Sequence, residues 1–197
     1  QKLQVIFVQF TNLIRNGKKT SMSTRGGQFV SLDDLVNEVS SDAARFFYIM
    51  RRSDQHLDFD LDLAKKQSKD NPLYYIQYAH ARICSLIKES SNKFNAKKSL
   101  EGKKYLKLLT SPLEIELSKQ LNLFPSLILN AAHKREPHLL CYYLKDLSSN
   151  FHSYYNNQRI IIENKELQSA RILLVMAIKQ VIANGLNIIG VSAPESM

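Results

Sequence analysis

Cysteine is scarce in this chain. Cys84 and Cys141 are its only two, they form no CxxC pair, and both lie on apolar helical stretches. That pattern argues against a disulfide-stapled scaffold or a cysteine-ligated metal, and reads as two reduced core thiols of a cytosolic protein. Long hydrophobic runs are missing too. The longest, Ile172 to Ile178, is far shorter than the ~20 residues a membrane span needs. No secretory signal is visible and no internal repeat. Gln1 rather than Met opens the chain, which reads as a processed start or a chain cut from something longer. The histidines at 56, 80, 133, 138 and 152 show neither HxxxH nor HExxH spacing. The nucleotide fingerprints GxxxxGK[ST] and GxGxxG are absent, and no Ser, Cys or Thr sits in a nucleophile elbow. The sequence therefore contains no complete active site of its own.

Acidic residues are in deficit: 18 Asp and Glu face 27 Lys and Arg, a formal charge of +9. The excess is uneven. Between Lys65 and Lys107, eleven Lys and Arg stand against Asp70, Glu89 and Glu101, a net of +8. A basic excess is often only a solvated surface, but it also suits a polyanionic partner. With 197 residues, 44% of them hydrophobic, the chain is long enough to bury a sizeable core.

The spacing predicts a mainly α protein with a short β start. Leu3 to Phe10 is β-rich, Leu13 to Arg15 continues extended, and Asn16-Gly17 is a strong hairpin signal. A polar loop, Gly17 to Gln28, follows. Ser31 with Asp34 three residues on resembles a capping box, so a short helix should start near Leu32. Ser41 is placed as the cap of another, Asp42 to Arg51, and no strand is expected after it. Long amphipathic helices fill the remainder: Leu73 to Glu89, Pro112 to Gln120, Pro125 to Lys134, one opening at Pro137, and Glu166 to Asn184 stopped by Gly185. Ser90 to Lys104 reads as a mobile, exposed connection. Short loops between long helices make an antiparallel bundle.

One segment is richer than the rest, Asp70 to Ile83. Asn71 and Pro72 read as N-cap and first helical residue, because Pro there gives up no needed N–H and its φ is already helical. Tyr75, Tyr78 and Arg82 follow at i, i+3 and i+7, so two phenol rings and a guanidinium share one face. Such a face can be a core edge with a snorkelling charge. Inside the basic stretch it suits unpaired nucleotides, which offer a π-face to stack and a phosphate to neutralise; RNA fits better than duplex DNA. Tyr155 with Arg159 at i+4 repeats the pairing in a second aromatic cluster, Tyr154 to Arg159. Asp58, Asp60 and Asp62 would share one face if extended and could hold a hard cation. The better reading has them capping the next helix and pairing with lysines, with no metal bound. His80 reads as a hydrogen-bonded interior residue. The loop Thr20 to Gly27 carries hydroxyls, backbone N–H groups and Arg25, which could fold over a phosphate chain.

Taken in order, Met22-Ser-Thr-Arg-Gly26, Phe29 to Leu35, Asp42 to Phe47, Leu57 to Ala64, Asn71 to Arg82, Ala170 to Leu174 and Gly185 to Met197 resemble the blocks of the arginyl-tRNA synthetase family, class I aminoacyl-tRNA synthetases. The resemblance spans nearly the whole chain. It implies the C-terminal edge of a catalytic domain over residues 1–68, in the form of a short β-hairpin remnant, and a helical anticodon-binding bundle over 69–197. It implies a cytoplasmic parent enzyme that forms arginyl-adenylate from arginine and ATP with Mg2+, then transfers arginine to tRNA(Arg). Ser21, Met22, Ser23, Thr24 and Arg25 would be the KMSKS-like loop that holds ATP phosphates and stabilises departing pyrophosphate. Neither signature lysine is present, so Arg25, Lys18 and Lys19 are candidates for the missing cation. Tyr75, Tyr78, Arg82, Tyr155, Arg159 and the terminal Met197 would contact the tRNA. The HIGH-like motif and the arginine pocket such an enzyme needs are not in this sequence. A free-standing helical RNA-binding module is the alternative, and a protein-interaction bundle a third reading.

Overall fold

The computed structural model describes residues 3, 5–20, 30–91 and 100–197. It opens on a hairpin, β1 (Thr11–Arg15) and β2 (Lys18–Lys19), paired antiparallel with Ile14 opposite Lys19. Asn16 and Gly17 between them both take positive φ, 50° and 70°. This is the two-residue turn whose twist matches that of the strands. Leu3 to Phe10 was expected to be strand, yet none of its described residues pairs in a ladder, and Leu3, Phe7 and Phe10 are solvent-exposed. Among the described residues its backbone meets the later chain only in isolated bonds, the Gln9 N–H donating to the Ser53 carbonyl at 2.9 Å and the Phe10 carbonyl accepting from the Leu57 N–H at 3.4 Å.

Two capped helices follow. α1 (Leu32–Val39) carries the expected capping box, Ser31 with Asp34. α2 (Ser41–Ile49) is capped one residue earlier than expected, by Ser40, whose Oγ accepts from the Ala43 N–H at 3.2 Å. The chain then forms a strand where none was expected, β3 (Leu57–Asp60), parallel to β1 in the order β2-β1-β3. A parallel partner needs a crossover, and α1 and α2 supply it. Phe59 points into the core while Asp58 faces out and accepts from Asn12 Nδ2 at 2.8 Å. The expected cap is made by Asp60 and the expected lysine pairing by Asp58, while Asp62 serves the hairpin turn instead. Asp58 lies near Lys19, Asp60 caps α3 (Leu61–Lys65), and Asp62 accepts from the Asn16 N–H.

The helical part begins with α4 (Pro72–Ser91), where Asn71 Oδ1 accepts from the N–H groups of Leu73 and Tyr74. A 3₁₀ segment, Leu100–Leu108, comes next. Its first residues fall in the Ser90 to Lys104 stretch expected to be an exposed connection, of which 92–99 lie outside the described residues, but the segment packs on the last helix, α7 (Lys165–Ile188). Gly102 permits that approach: a Cβ there would stand 2.6 Å from the Ser169 carbonyl oxygen, which belongs to backbone and cannot swing away. Gly102→Ala is expected to lower stability by about 1–3 kcal/mol, as overpacking does, measured by urea unfolding.

Two expected helices are one. α5 (Pro112–Lys134) runs through Pro125 without ending. An interior proline costs a helix roughly 3 kcal/mol, so packing must offset it. Phe124, Leu127 and Ile128 flank it against the core, and Tyr143 Oη donates to the Gln120 carbonyl at 2.9 Å, just ahead of the weakened turn. α6 (His138–Asn157) opens at Pro137 as expected. α7 runs past Gly185, whose absent side chain lets Leu144 of α6 come close: a Cβ would sit 2.7 Å from Leu144 Cδ2. The helix ends instead at Gly190, with φ at 69°. The N–H of Gly190 bonds the Asn187 carbonyl and that of Val191 the Leu186 carbonyl, a Schellman closure.

By length and composition alone, α7 could cross a bilayer. It is more than half buried against α4, α5, α6 and the 3₁₀ segment, so its apolar faces serve the core. That core runs without a break from Leu13 to Val191, joining the small sheet to the bundle. Cys84 and Cys141 are free thiols within it. Burial pushes the Cys141 thiol up to about 12.

Candidate nucleic-acid interface

α4 and α6 lie side by side, and their packing builds a surface from aromatic rings. Tyr74 and Tyr78, one turn apart on α4, lie nearly parallel, with centroids 6.1 Å apart and planes 7° apart. Tyr78 is followed by His152 of α6 at 5.5 Å and 18°. Tyr75 also meets His152, with centroids 4.4 Å apart and planes tilted by 39°. The Arg82 guanidinium then bridges to Tyr155, its Cζ 3.8 Å above that ring and 5.8 Å from Tyr78. Both spacings lie within the range of cation–π attraction.

The sequence-predicted residues do not all play the same part. Tyr75, Tyr78, Arg82 and Tyr155 are brought together, and Tyr78 is 39% exposed. Tyr75 has one face covered by His152. Tyr154, in the same cluster as Tyr155, is wholly buried and donates to Glu114 Oε1 at 3.2 Å. Burial, with the Glu114 carboxylate beside it, drives its phenol well above its usual range. Arg159 is exposed just beyond Tyr155. Its side chain is free of the core because its backbone is held: Arg171 Nη1 donates to the Arg159 carbonyl at 2.7 Å and Nη2 to Gln158 Oε1. Residues 155–161 line a hollow with Leu86 and Glu89 there. Met197 stands at the opposite end, 55% exposed and beside Tyr74, Gln77 and Asn71. The tail reaches that place because Gln77 Nε2 donates to the Ser192 carbonyl, Asp42 accepts from Ser192, and His80 Nδ1 pairs with the Pro194 carbonyl at 2.8 Å. His80 is thus an interior residue with a partner, as its place in the sequence suggested. The loop Ser21, Met22, Ser23, Thr24, Arg25 lies outside the described residues.

Two members of the surface were not anticipated. Tyr74 was legible, since it stands four residues before Tyr78 and the (i, i+4) pair shares a face. His152 was not, because its neighbours Tyr75 and Arg82 are more than sixty residues away in the chain. Burial, together with the nearby Arg82 charge, lowers its imidazole from the ordinary 6.5 and keeps the ring neutral.

The electrostatics favour an anion. Three arginines meet carboxylates, Arg15 with Glu38, Arg52 with Asp54 and Arg171 with Glu114, while Arg51 donates to the His56 carbonyl. Arg82, among the described residues, meets only neutral acceptors, His152 and Asn156 Oδ1 at 3.4 Å each. Its charge is oriented and left uncompensated. Flat rings flanking such a cation can stack bases and hold a phosphate.

A helical bundle carrying this surface has a known counterpart. The family described as the DALR anticodon binding domain matches residues 76–197, and the chain belongs to it. Among curated relatives, the arginine–tRNA ligase of Coxiella burnetii (strain RSA 331) is 52% identical over all 197 residues, which make up 34% of that protein. The arginine–tRNA ligase of Aromatoleum aromaticum is 50% identical over the same span, 33% of its length. The chain thus spans about a third of the curated relatives it matches. Among solved structures, arginyl-tRNA synthetase of Thermus thermophilus shares the fold with a TM-score of 0.74 at 24% identity, over 95% of this chain and 34% of that one. A Campylobacter jejuni protein described as an arginyl t-RNA synthetase gives 0.80 at 25% identity, over 96% of this chain and 40% of its own.

Proposed function

We propose that this chain is the C-terminal part of an arginine–tRNA ligase, and that the face formed by Tyr74, Tyr75, Tyr78, Arg82, Tyr155, Arg159 and Met197 receives the anticodon stem and loop of tRNA(Arg). The carrying observation is the guanidinium of Arg82, held between Tyr78 and Tyr155 by neutral acceptors and, among the described residues, paired with no carboxylate. Residues 69–197 form the anticodon-binding domain in this reading. Residues 1–68 form the C-terminal edge of the catalytic domain. The Ser21 to Arg25 loop serves ATP and its Mg2+: hydroxyls and a guanidinium suit a phosphate chain. Lys18 and Lys19 on β2, both exposed, are further cations just before it in the sequence. The parent enzyme activates arginine with ATP and transfers it to tRNA in the cytoplasm. Similarity to the ligases extends through residues 1–68 as well as the bundle, which supports an enzyme over a free-standing module.

Titration of labelled tRNA(Arg) at several salt concentrations tests this. The expected result is a log–log affinity slope of roughly −0.7 to −0.9 for each phosphate contact. A flat response would favour a protein partner instead. The 197-residue chain alone should bind tRNA but leave it uncharged, and charging by that chain would contradict the reading.

A further inference from the structure

His152 is buried, 6% exposed, in the middle of the aromatic face. Its Nε2 lies 3.3 Å from the Tyr75 carbonyl oxygen, which can only accept, so Nε2 carries the hydrogen. Nδ1 lies 3.4 Å from Arg82 Nη1, which can only donate. A neutral ring with the proton on Nε2 satisfies both partners at once, and those partners assign the tautomer. The groups facing the ring are Tyr75, Tyr78 and Arg82 from α4, with Phe151 on its own helix. No carboxylate is among them.

We infer that His152 is the positioning residue of this surface, holding the Arg82 guanidinium over Tyr155 as an uncharged acceptor so that its full charge remains for an RNA phosphate. The inference rests on the RNA-binding reading above and deepens it. A carboxylate in the same place would orient Arg82 equally well but would neutralise it and repel a phosphate. A plain aromatic ring would stack on Tyr75 and Tyr78 but leave the guanidinium to swing. Imidazole combines the flat ring with the uncharged lone pair. Asn156 supplies the second neutral acceptor on the outer side.

Three single variants of the full-length protein and one double variant separate these roles, each titrated with a labelled anticodon stem-loop of tRNA(Arg). His152→Phe keeps the ring and removes the acceptor. It should weaken binding roughly tenfold, about what one charge-assisted hydrogen bond is worth, and make the salt slope shallower by roughly 0.7, one single-strand phosphate contact. His152→Asn puts an oxygen near the Nδ1 position and should restore most of both. Arg82→Ala should match His152→Phe, and the double variant should be no worse than either. Wild-type affinity in His152→Phe would overturn the inference, as would His152→Asn being as weak as His152→Phe. Wild-type affinity in Arg82→Ala would instead overturn the reading of the surface as an RNA site. Should a variant fail to fold, nitrogen NMR of the unaltered protein decides the point: an unprotonated Nδ1 is expected, and a protonated Nδ1 would sink the proposal.

Discussion

Glu114→Ala should be the most damaging single truncation outside the aliphatic core, lowering unfolding free energy by about 3–5 kcal/mol, as loss of one partner from a buried ion pair does. Three elements meet at this carboxylate. Oε2 accepts from the Ser111 N–H as the capping box of α5, while Oε1 accepts from Arg171 Nε at 2.7 Å and from Tyr154 Oη at 3.2 Å. Glu114 is 1% exposed and Arg171 9%, so the pair is largely shielded from water. Removal takes the carboxylate partner from a guanidinium and a phenol inside the bundle and breaks half of the capping box of a 23-residue helix, the Ser111 Oγ cap on the Glu114 N–H remaining. The damage should also reach the proposed RNA face, because Arg171 fixes the backbone of Arg159 and the side chain of Gln158. Glu114→Gln keeps the shape and most acceptors, and should lose clearly less. Urea unfolding of the two variants checks the ordering. A loss below about 1 kcal/mol for the alanine variant would place the pair with exposed, weakly coupled ones.

Tyr155→Ala should weaken binding of an anticodon stem-loop by about 5- to 150-fold, the range of ~1–3 kcal/mol for one stacked base. Tyr155→Phe should bind almost as the parent does, since stacking uses the π-face and no hydrogen bond from Tyr155 Oη contributes to the argument. Part of the alanine loss could come from folding, because Tyr155 also packs edge-on against Phe151 at 6.0 Å. Thermal melts of both variants separate that part. Equal binding by the alanine and parent proteins would remove Tyr155 from the interface.

The features legible from the chain are those whose partners lie within a few residues. The Asn16-Gly17 turn, the Ser31/Asp34 box and the Asn71-Pro72 helix start all fall where expected, because turns and caps close over two to four residues. The shared face of Tyr75, Tyr78 and Arg82 was legible for the same reason. Misreadings arose where a local rule met a distant neighbour. Pro125 should have broken α5, but flanking core contacts and Tyr143 hold the helix together. Gly185 had the residue type of a terminator, but it serves the close approach of Leu144. Leu57 to Asp60 became a strand only because β1, 46 residues earlier, offered an edge.

Residue order alone settled the helical character, the basic excess and which side of α4 carries rings, since helical periodicity and net charge are properties of the chain itself. Tertiary structure decided which of those rings reach solvent, that His152 and Asn156 would grip Arg82, and that Glu114 and Arg171 would meet across 57 residues. Such contacts depend on how α4, α5, α6 and α7 are rotated against one another. That rotation is set by the packing of the whole core, which no short stretch of sequence encodes.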